Sequence, residues 1–378
     1  MKKLAFAVSL LFALPSMACQ FDKVSFDTDF DGGRLDKCHQ VNDDTFKLTL
    51  KPENTPINDS PWYSFKVKTD SAMKVKIIMA VEDGSHRYPP KVSNDGKHWQ
   101  LLENKIKRDK LSFTVDVKDK PVWVSAQEII NNEDYIRWGK KLAESSVVEH
   151  ELLGLSTEKR GIYQLVVKQN PDAKQWLLVL GRQHPPELTG AMALLPFSEV
   201  LLSNGDLAAK FREQYNILII PNLNPDGVYH GNWRHNANGK DLNRQWKSFE
   251  EVEAALVHDY LSTLVANGHS INYAVDFHST HKDIFYTMPT HYVKQEPFST
   301  VNWLNKLDSQ WPEFDVIQQP GNNPDKGVFK QYIADTYNVH AITYEMGDNT
   351  NRLFINKLAK DAATSLMQTL LTDNNQQE

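Results

Sequence analysis

A histidine and a glutamate three residues apart are the first side chains in this sequence that could carry chemistry. His184 and Glu187 lie in the segment GRQHPPELTG, which begins where the apolar run WLLVLG ends and leads into a stretch of helical character. Imidazole nitrogens and carboxylate oxygens are ligands that zinc prefers, and a catalytic zinc site keeps one position open. The spacing alone is weak evidence, because 13 histidines and 48 acidic residues produce on the order of two such pairs by chance.

The third ligand of such a site has to come from another strand, and two histidines compete for that role. His278 directly follows the apolar run YAVDF, whereas His281 lies three residues further along. Because the carboxyl ends of parallel strands meet at one edge of a sheet, we expect the site at that edge. We therefore predict His278 as the ligand and His281 as a loop histidine close to the site.

A long polar segment, NPDGVYHGNWRHNANGKDLNRQW, lies between these elements and contains Arg234, Asn243 and Arg244. Its composition is typical of a solvated loop, and NPDG indicates a turn directly after the apolar run ILII. Guanidinium groups bind carboxylates through paired hydrogen bonds, so beside a metal these side chains could instead hold an anionic group. Glu345 ends a further apolar run, AITYE, where a carboxylate is a candidate general base.

The apolar pattern divides the chain into two parts that would position these side chains. The first part has short alternating segments separated by turn signals, which predict a small all-β sandwich; they are 45–50, 63–68, 74–81 and 111–117. From about residue 126, apolar runs alternate with helical stretches, which predicts an α/β domain with a mixed, largely parallel sheet flanked by helices. The predicted strands are 164–167, 176–181, 217–220, 273–277 and 341–345. The predicted helices are 188–202, 249–266, 300–311, 327–336 and 353–371.

Taken in order, these motifs resemble those of the zinc carboxypeptidases related to pancreatic carboxypeptidase A. The matching segments are HPPE, NPDG, GNWR, DLNRQW, a histidine after a later strand, and a final TYE, spread over about residues 125–370. The compact spacing of the arginine segments, with an all-β domain ahead of them, is most similar to the cytosolic carboxypeptidases and their bacterial relatives. Each piece alone is common, but the ordered combination is specific.

The resemblance implies a zinc-dependent peptide hydrolase that removes the C-terminal residue of peptides or proteins. It implies one zinc ion per chain, held by His184, Glu187 and His278. Arg234 would stabilise the oxyanion that forms from the scissile carbonyl, and Asn243 and Arg244 would bind the free C-terminal carboxylate of the substrate. Glu345 would take a proton from the zinc-bound water and pass it to the leaving amine.

Some positions depart from the family pattern or leave it open. Pro186 stands where the family usually has glycine, which removes a backbone N–H and stiffens the turn while leaving the ligand side chains in place. The family also uses a mobile tyrosine, and three residues compete for that role: Tyr286, Tyr332 and Tyr337. Lys326 or Lys330 could favour an acidic C-terminal residue, as in the cytosolic subfamily, although solvated lysines are the simpler interpretation.

Two other classes of function fit part of the pattern. A zinc amidohydrolase or deacylase acting on N-acyl amino acids, as in the aspartoacylase-like group, also has a His-x-x-Glu/His site and an Asn-Arg pair. A non-enzymatic peptide-binding protein with the same fold would be expected to have lost a ligand or the base, and none of these residues is missing. The β-sandwich and the long segment from NPDG to Arg234 favour the carboxypeptidase.

The beginning of the chain predicts export. A positively charged start, a short apolar run and small residues up to Ala18 predict a signal peptide over 1–18 and a secreted or periplasmic protein. The remainder divides into a β-sandwich domain at 19–125 and a catalytic domain at 126–378. Cys19 and Cys38, the two cysteines, could form a disulfide, or Cys19 could be lipidated; Ser16 is a poor match to lipidation sites, so we favour the disulfide.

Composition excludes two classes of partner. The formal net charge is −6, so there is no basic field that would attract nucleic acid or an anionic membrane. Beyond the leader, no apolar stretch has the length of a transmembrane helix. We therefore predict a peptide or protein C-terminus as the partner, with no nucleic acid and no transmembrane segment.

Overall fold

The computed structural model describes residues 19–375 of the chain. The predicted signal peptide, residues 1–18, lies outside the described residues. Within the described range, no helix is both long enough and apolar enough to cross a lipid bilayer.

The N-terminal part is built from short strands that form two sheets. The strands are β1 (Cys19–Gln20), β2 (Val24–Asp27), β3 (Lys37–Gln40), β4 (Thr45–Leu50), β5 (Ser64–Thr69), β6 (Met73–Val81), β7 (Lys91–Ser93), β8 (Gln100–Leu101), β9 (Asn104–Lys107), β10 (Lys110–Val117) and β11 (Val122–Ser125). One sheet has the order β1-β2-β5-β11-β7-β8 and the other β3-β4-β6-β10-β9. Cys19 in β1 and Cys38 in β3 form a disulfide bond that links the two sheets, the pairing that the sequence favoured.

Alternating side chains of these strands form one apolar core between the two sheets. In β6, for example, Val75, Ile77 and Met79 are fully buried while Lys74 and Lys76 are exposed, because successive side chains of a strand point to opposite faces. The predicted all-β sandwich is confirmed.

The second part contains one mixed sheet. Its strands are β12 (Val148–Leu155), β13 (Gly161–Val167), β14 (Gln175–Gly181), β15 (Tyr215–Ile220), β16 (Ser270–Thr280), β17 (Ile284–Thr287), β18 (Gln318–Pro320) and β19 (His340–Gly347). Their order is β12-β13-β15-β14-β16-β19-β17-β18, and the central strands β15, β14, β16 and β19 are parallel. The predicted mixed, largely parallel sheet is confirmed.

Helices cover both faces of this sheet. They are α1 (Asn132–Leu142), α2 (Leu188–Leu201), α3 (Asp206–Gln214), α4 (Pro225–His230), α5 (Val252–Ala266), α6 (Ser299–Gln310), α7 (Phe329–Tyr337) and α8 (Arg352–Asn375). Helices α2, α3, α6 and α8 share one apolar core with the sheet, and α5 and α7 share another. Because both faces are covered, the central strands are continuous apolar runs.

Two local predictions differ from the structure. Strand β16 continues to Thr280, so His278 lies within the strand rather than after it. The segment NPDG begins helix α4 instead of forming a turn: Asn224 Oδ1 accepts a hydrogen bond from the Gly227 N–H at 2.9 Å, and Pro225 is the first helical residue. Asparagine before a helix and proline at its first position are typical helix starts, and turns favour the same residues.

Candidate active site

The three predicted metal ligands lie together at the carboxyl edge of the central parallel strands. His184 Nδ1 lies 2.8 Å from Glu187 Oε1, His278 Nδ1 lies 2.7 Å from Glu187 Oε2, and the two Nδ1 atoms are 3.2 Å apart. All three side chains are buried. Tetrahedral zinc with Zn–N bonds of about 2.0–2.1 Å holds its ligand atoms roughly 3.3 Å apart, so this donor set fits zinc.

A carboxylate faces the outer nitrogen of each histidine. His184 Nε2 lies 3.0 Å from Asp241 Oδ1, and His278 Nε2 lies 2.7 Å from Asp276 Oδ2. A carboxylate acceptor favours the proton on Nε2, which leaves the Nδ1 lone pair directed at the shared centre. The hydrogen-bond network therefore orients both rings so that each could bind a metal ion through Nδ1.

The charges in this pocket favour a cation. Burial alone would lower the pKa of His278, but the carboxylates of Asp276 and Glu187 outweigh it and raise that pKa well above its ordinary value. Burial alone would raise the pKa of Glu187, but the charges of His184 and His278 lower it well below its ordinary value. A positive charge, on an imidazole or as a metal ion, is therefore stabilised here.

The turn that carries His184 is held by Arg182. Arg182 has a left-handed backbone with φ of 54°, which costs a non-glycine residue roughly 1–2 kcal/mol. Its Nε donates to the Pro185 carbonyl at 2.8 Å and its Nη1 to the Tyr135 hydroxyl at 2.8 Å. These hydrogen bonds fix the turn, and with Pro186 in it the three ligand side chains still converge.

Helix α2 packs directly against β16 at the position of His278. A Cβ atom on Gly190 would lie 2.4 Å from the His278 carbonyl oxygen, closer than real Cβ contacts allow. The Gly190 N–H also donates to Ser279 Oγ at 2.8 Å. Only glycine permits this approach, which sets the spacing between the elements that carry Glu187 and His278.

Arg234 and the metal site are joined through Asp241. Arg234 Nε donates to Asp241 Oδ2 at 2.8 Å, and Arg234 Nη1 lies 4.0 Å from Glu187 Oε1. Burial alone would raise the pKa of Asp241, but the charges of His184 and Arg234 outweigh it and lower that pKa. The carboxylate therefore stays ionised and holds the guanidinium group beside the ligands.

Glu345 lies on the strand next to His278. The two residues are paired across β19 and β16, and Glu345 lines the same cavity as the ligands. Its Oε2 atom is buried and has no hydrogen-bond partner among the described residues. Burial is the largest cause that raises the pKa of Glu345 to about 8, so this carboxyl group can exchange a proton near neutral pH.

These groups line a cavity of about 700 Å³ that also contains Asn243 and Arg244. Asn243 Oδ1 accepts a hydrogen bond from the Phe329 N–H at 2.9 Å, so the amide offers its NH₂ group as a donor. Arg244 is exposed, and its Nη1 donates to the Asn243 carbonyl at 2.7 Å. Both residues thus present donors to an anion in the cavity.

The structure distinguishes the residues that competed for two roles: the third histidine ligand and the mobile tyrosine. His281 lines the same cavity with 77% of its side chain exposed, and it is not part of the cluster of ligand atoms that His184, Glu187 and His278 form. Of the three tyrosines, Tyr286 lines the cavity, whereas the hydroxyl groups of Tyr332 and Tyr337 lie 3.0 Å apart on the α7 side of the sheet.

The two lysines are also distinguished. Lys330 is buried and lines the cavity, and its Nζ donates to the carbonyls of Thr287 and Gly321 at 2.8 and 2.5 Å. Lys326 is exposed and is not among the residues that line the cavity. Only Lys330 is therefore placed to meet a substrate side chain.

The N-terminal sandwich supplies part of the cavity wall. Arg87 donates to Asp348 through Nε and Nη2 at 2.7 and 3.0 Å, and through Nη2 to the Ser279 carbonyl at 3.1 Å. Residues 57–59, in the loop between β4 and β5, also line the cavity. The sandwich therefore closes one side of the site.

Three residues beside the site, Asp241, Asp276 and Arg87, were not predicted from the sequence. Asp276 had a signal, because it precedes His278 by two residues and so lies on the same face of the strand. Asp241 stands two residues before Asn243, in the motif that supplies Asn243 and Arg244. Arg87 had none, because its partner Asp348 lies 261 residues away.

Two family models match the sequence. The zinc carboxypeptidase model matches residues 135–367, and the cytosolic carboxypeptidase N-terminal domain matches residues 26–126. Cytosolic carboxypeptidase 6 of Caenorhabditis elegans is 24% identical over 252 residues, which cover 59% of this chain and 54% of that protein. Human cytosolic carboxypeptidase 1 is 41% identical over 75 residues, covering 20% of this chain and 6% of that protein. The chain thus spans about half the length of the first of these relatives.

Solved structures share the whole fold. The metallo-carboxypeptidase from Burkholderia cenocepacia has a TM-score of 0.80 at 17% identity, covering 92% of this chain and 99% of that chain. The metallo-carboxypeptidase from Pseudomonas aeruginosa, in complex with (2-guanidinoethylmercapto)succinic acid, has a TM-score of 0.77 at 22% identity, with the same coverage. The predicted resemblance is confirmed, and this chain belongs to the zinc carboxypeptidase family.

Proposed function

We propose that the protein is a zinc metallocarboxypeptidase with one zinc ion per chain, which hydrolyses the C-terminal peptide bond of peptides or proteins. One observation carries the proposal: a single cavity is lined by a three-ligand cluster, by cationic side chains and by a carboxylate whose buried Oε2 has no hydrogen-bond partner among the described residues. A zinc site alone would fit many hydrolases. The hydrogen-bond donors of Asn243 and Arg244 beside it favour a substrate that has a free carboxylate at its end.

Three residues of the cavity would hold the metal ion, and Arg234 would bind the reacting carbonyl. His184, Glu187 and His278 would be the ligands, and zinc when bound supplies a Lewis acid that lowers the pKa of water and polarises a carbonyl. Arg234 places a fixed positive charge where the carbonyl oxygen becomes negative, which stabilises the transition state more than the ground state.

Glu345 would move the proton. Its carboxylate takes the proton from the attacking water and returns it to the leaving amine, so that no free hydroxide or amide anion is needed. A nearby cation favours the ionised carboxylate, which counters the rise that burial causes in its pKa. A carboxyl group whose pKa is balanced in this way can both accept the proton from water and donate it to the leaving amine.

Asn243 and Arg244 would restrict cleavage to the last residue. A guanidinium and an amide NH₂ group bind a carboxylate well but gain much less from the neutral peptide group of a continuing chain. The substrate is then held by its free end, and the bond placed at the metal is the last one.

Lys330 would favour an acidic C-terminal side chain. An ammonium group has three donors, and two of them are accounted for by the Thr287 and Gly321 carbonyls. A substrate carboxylate could take the third and supply a counter-charge. Lys330→Met should reduce the preference for glutamate over leucine at the C-terminus about tenfold, since a hydrogen bond to a charged group contributes about 1.5–3 kcal/mol. Lys326→Met, on the exposed lysine, is the matched control; an unchanged preference in Lys330→Met would exclude this role.

We also propose export from the cytoplasm, although the relatives above are named cytosolic. The leader pattern of residues 1–18 and the disulfide between Cys19 and Cys38 support it, because disulfides persist in oxidising compartments. N-terminal sequencing of protein recovered from the periplasm or medium should begin at Cys19. Cytoplasmic protein that retains Met1 and two free thiols would contradict this proposal.

The activity is tested with a panel of substrates and a metal determination. Purified protein should contain about one zinc per chain and release single C-terminal residues from unmodified peptides, detected by mass spectrometry. The hydrolysis of N-acyl amino acids is measured in parallel with that of the peptides. Faster hydrolysis of the N-acyl amino acids would instead indicate a deacylase, and binding of peptides without product would indicate a binding protein.

A further inference from the structure

The backbone around Arg234 has no regular secondary structure to hold it. Helix α4 ends at His230, and the next regular element is a short 3-10 helix, Leu242–Arg244. Buried backbone N–H groups need hydrogen-bond acceptors. In the described structure, residues 233–235 belong to no helix or strand that would provide them. The acceptors for residues 233–235 must come from elsewhere.

A single carboxylate of the N-terminal sandwich accepts all three of these hydrogen bonds. Glu53 Oε2 accepts from the Trp233 N–H at 2.8 Å, and Glu53 Oε1 accepts from the N–H groups of Arg234 and His235 at 2.9 and 2.8 Å. Glu53 lies in the loop between β4 and β5, and 10% of its side chain is exposed. Consecutive N–H groups that converge on one anion form a rigid cradle, and hydrogen bonds to a charged acceptor are the stronger kind.

Neighbouring contacts hold the same segment to the sandwich. The Trp233 side chain is fully buried and belongs to the apolar core of the N-terminal sandwich. Asn54 Oδ1 lies 2.6 Å from His235 Nδ1, and Asn54 Nδ2 donates to the Gly239 carbonyl at 2.9 Å. Both flanks of Arg234 are therefore anchored in the other domain, while its guanidinium group points to Asp241 and Glu187.

We propose that Glu53 is a positioning residue of the active site: it fixes the backbone from which Arg234 reaches the reacting carbonyl. The N-terminal sandwich is then a working part of the catalytic machinery rather than an attached module. This inference rests on the proposed role of Arg234 and adds the residue that sets its position. Because Arg234 acts on charge that develops during the reaction, Glu53 acts on turnover and not on substrate binding.

Glu53→Gln tests this directly, because the change keeps the size of the side chain but replaces an acceptor oxygen with an NH₂ donor. We expect kcat to fall about tenfold, since small misplacements of a catalytic group are costly, with KM and zinc content unchanged. Glu128→Gln is the matched control. Glu128 pairs with Arg352 through hydrogen bonds of 2.9 and 2.8 Å and makes no contact with the Arg234 segment among the described hydrogen bonds, so its kcat should stay within about twofold.

A double-mutant cycle separates positioning from general support of the fold. If Glu53 acts through Arg234, Glu53→Gln should lower kcat by less than about twofold in an Arg234→Ala background. An equal loss in both backgrounds, or no loss in the wild-type background, would overturn the inference while leaving the proposed function intact. Full activity of Arg234→Ala would overturn both. Should Glu53→Gln fail to fold, Asn54→Ala can be combined with Arg234→Ala in the same double-mutant cycle, because Asn54 also contacts this segment, at His235 and Gly239. The expected effect on kcat is then smaller.

Discussion

The proposed metal site and the proposed carboxylate-binding pair line one cavity but are built differently. The proposed metal site, formed by His184, Glu187 and His278, is buried: His278 lies within strand β16, and His184 and Glu187 lie in the short connection between strand β14 and helix α2. Each histidine has a carboxylate at its outer nitrogen. The carboxylate-binding pair, Asn243 and Arg244, lies on a 3-10 helix in a long loop, with Arg244 exposed. The reacting centre would thus be held by buried, hydrogen-bonded backbone beside the central strands, and the group proposed to bind the substrate by a longer, more exposed loop.

This difference separates the expected effects of substitution. Groups at the metal site are preorganised, so changes there should appear in kcat or in metal affinity. The carboxylate-binding pair would contact a part of the substrate that does not react, so changes there should appear mainly in KM and in the choice of substrate. The predictions below would fail if the two regions behaved alike.

Glu345→Gln should give the largest effect on turnover. The amide keeps the shape of the side chain but cannot accept the proton, so we expect kcat to fall about 10²–10⁴-fold, with zinc content unchanged. Glu313→Gln, on an exposed glutamate, serves as the control. Activity close to wild type in Glu345→Gln would remove this residue as the base, and loss of zinc would instead place it in the metal site.

Asp276→Asn should weaken metal binding. The aspartate is fully buried and accepts from His278 Nε2, and Gln183 Nε2 donates to the same oxygen at 2.7 Å. Loss of such a partner typically lowers metal affinity about 10–100-fold. Competition with a chelator measures the dissociation constant, with Asp172→Asn on the surface as control. Unchanged zinc affinity would show that the carboxylate does not orient the ligand.

Arg244→Ala should act on substrate binding. Loss of a charge-assisted hydrogen bond costs about 1.5–3 kcal/mol, so KM for peptides with a free C-terminus should rise about 10–100-fold. Lys247→Ala, a nearby exposed lysine paired with Asp325 at 3.3 Å, should leave KM unchanged. If kcat fell instead while KM stayed constant, Arg244 would belong functionally to the metal site.

The preference for an acidic C-terminal residue should decline with rising pH. Burial lowers the pKa of Lys330 to about 8, so its ammonium group loses the proton, and with it the positive charge, as pH rises through that value. Because kcat/KM reports the free enzyme, its ratio for glutamate- and leucine-ending peptides should drop between about pH 7 and 9. In Lys330→Met the ratio should be flat, and a flat wild-type profile would contradict the role of Lys330.

Much of the fold could be predicted from periodicity, and the misses have a physical pattern. Strand β4 was predicted with its observed limits, and helix α2 within one residue. Strands β12, β17 and β18 were missed because they lie toward the edges of the sheet and carry weak apolar patterns: β12 is mostly exposed or half-buried, and β17 and β18 are only four and three residues long. Strand β16 extends beyond its apolar run because backbone pairing with β19 continues regardless of side-chain polarity.

The residues of the site also fall into those that the local sequence predicts and those that it does not. Glu345 ends an apolar run, and His184 and Glu187 follow another within six residues, so local sequence could suggest all three. Glu53 and Arg87 act across separations of about 180 and 261 residues, and a single sequence contains no signal for such a contact. What the sequence could not predict is therefore the contribution of the N-terminal sandwich to the cavity.

We propose that this cavity both hydrolyses a peptide bond at a metal ion and recognises the free carboxylate at the end of the substrate. A matched pair of peptides, identical except for a free or an amidated C-terminus, tests it most directly in the wild-type protein loaded with zinc. We predict release of one residue from the free acid and a rate at least about 100-fold lower for the amide, given the strength of charge-assisted hydrogen bonds. Equal rates for the two peptides, or cleavage at internal bonds, would contradict the account.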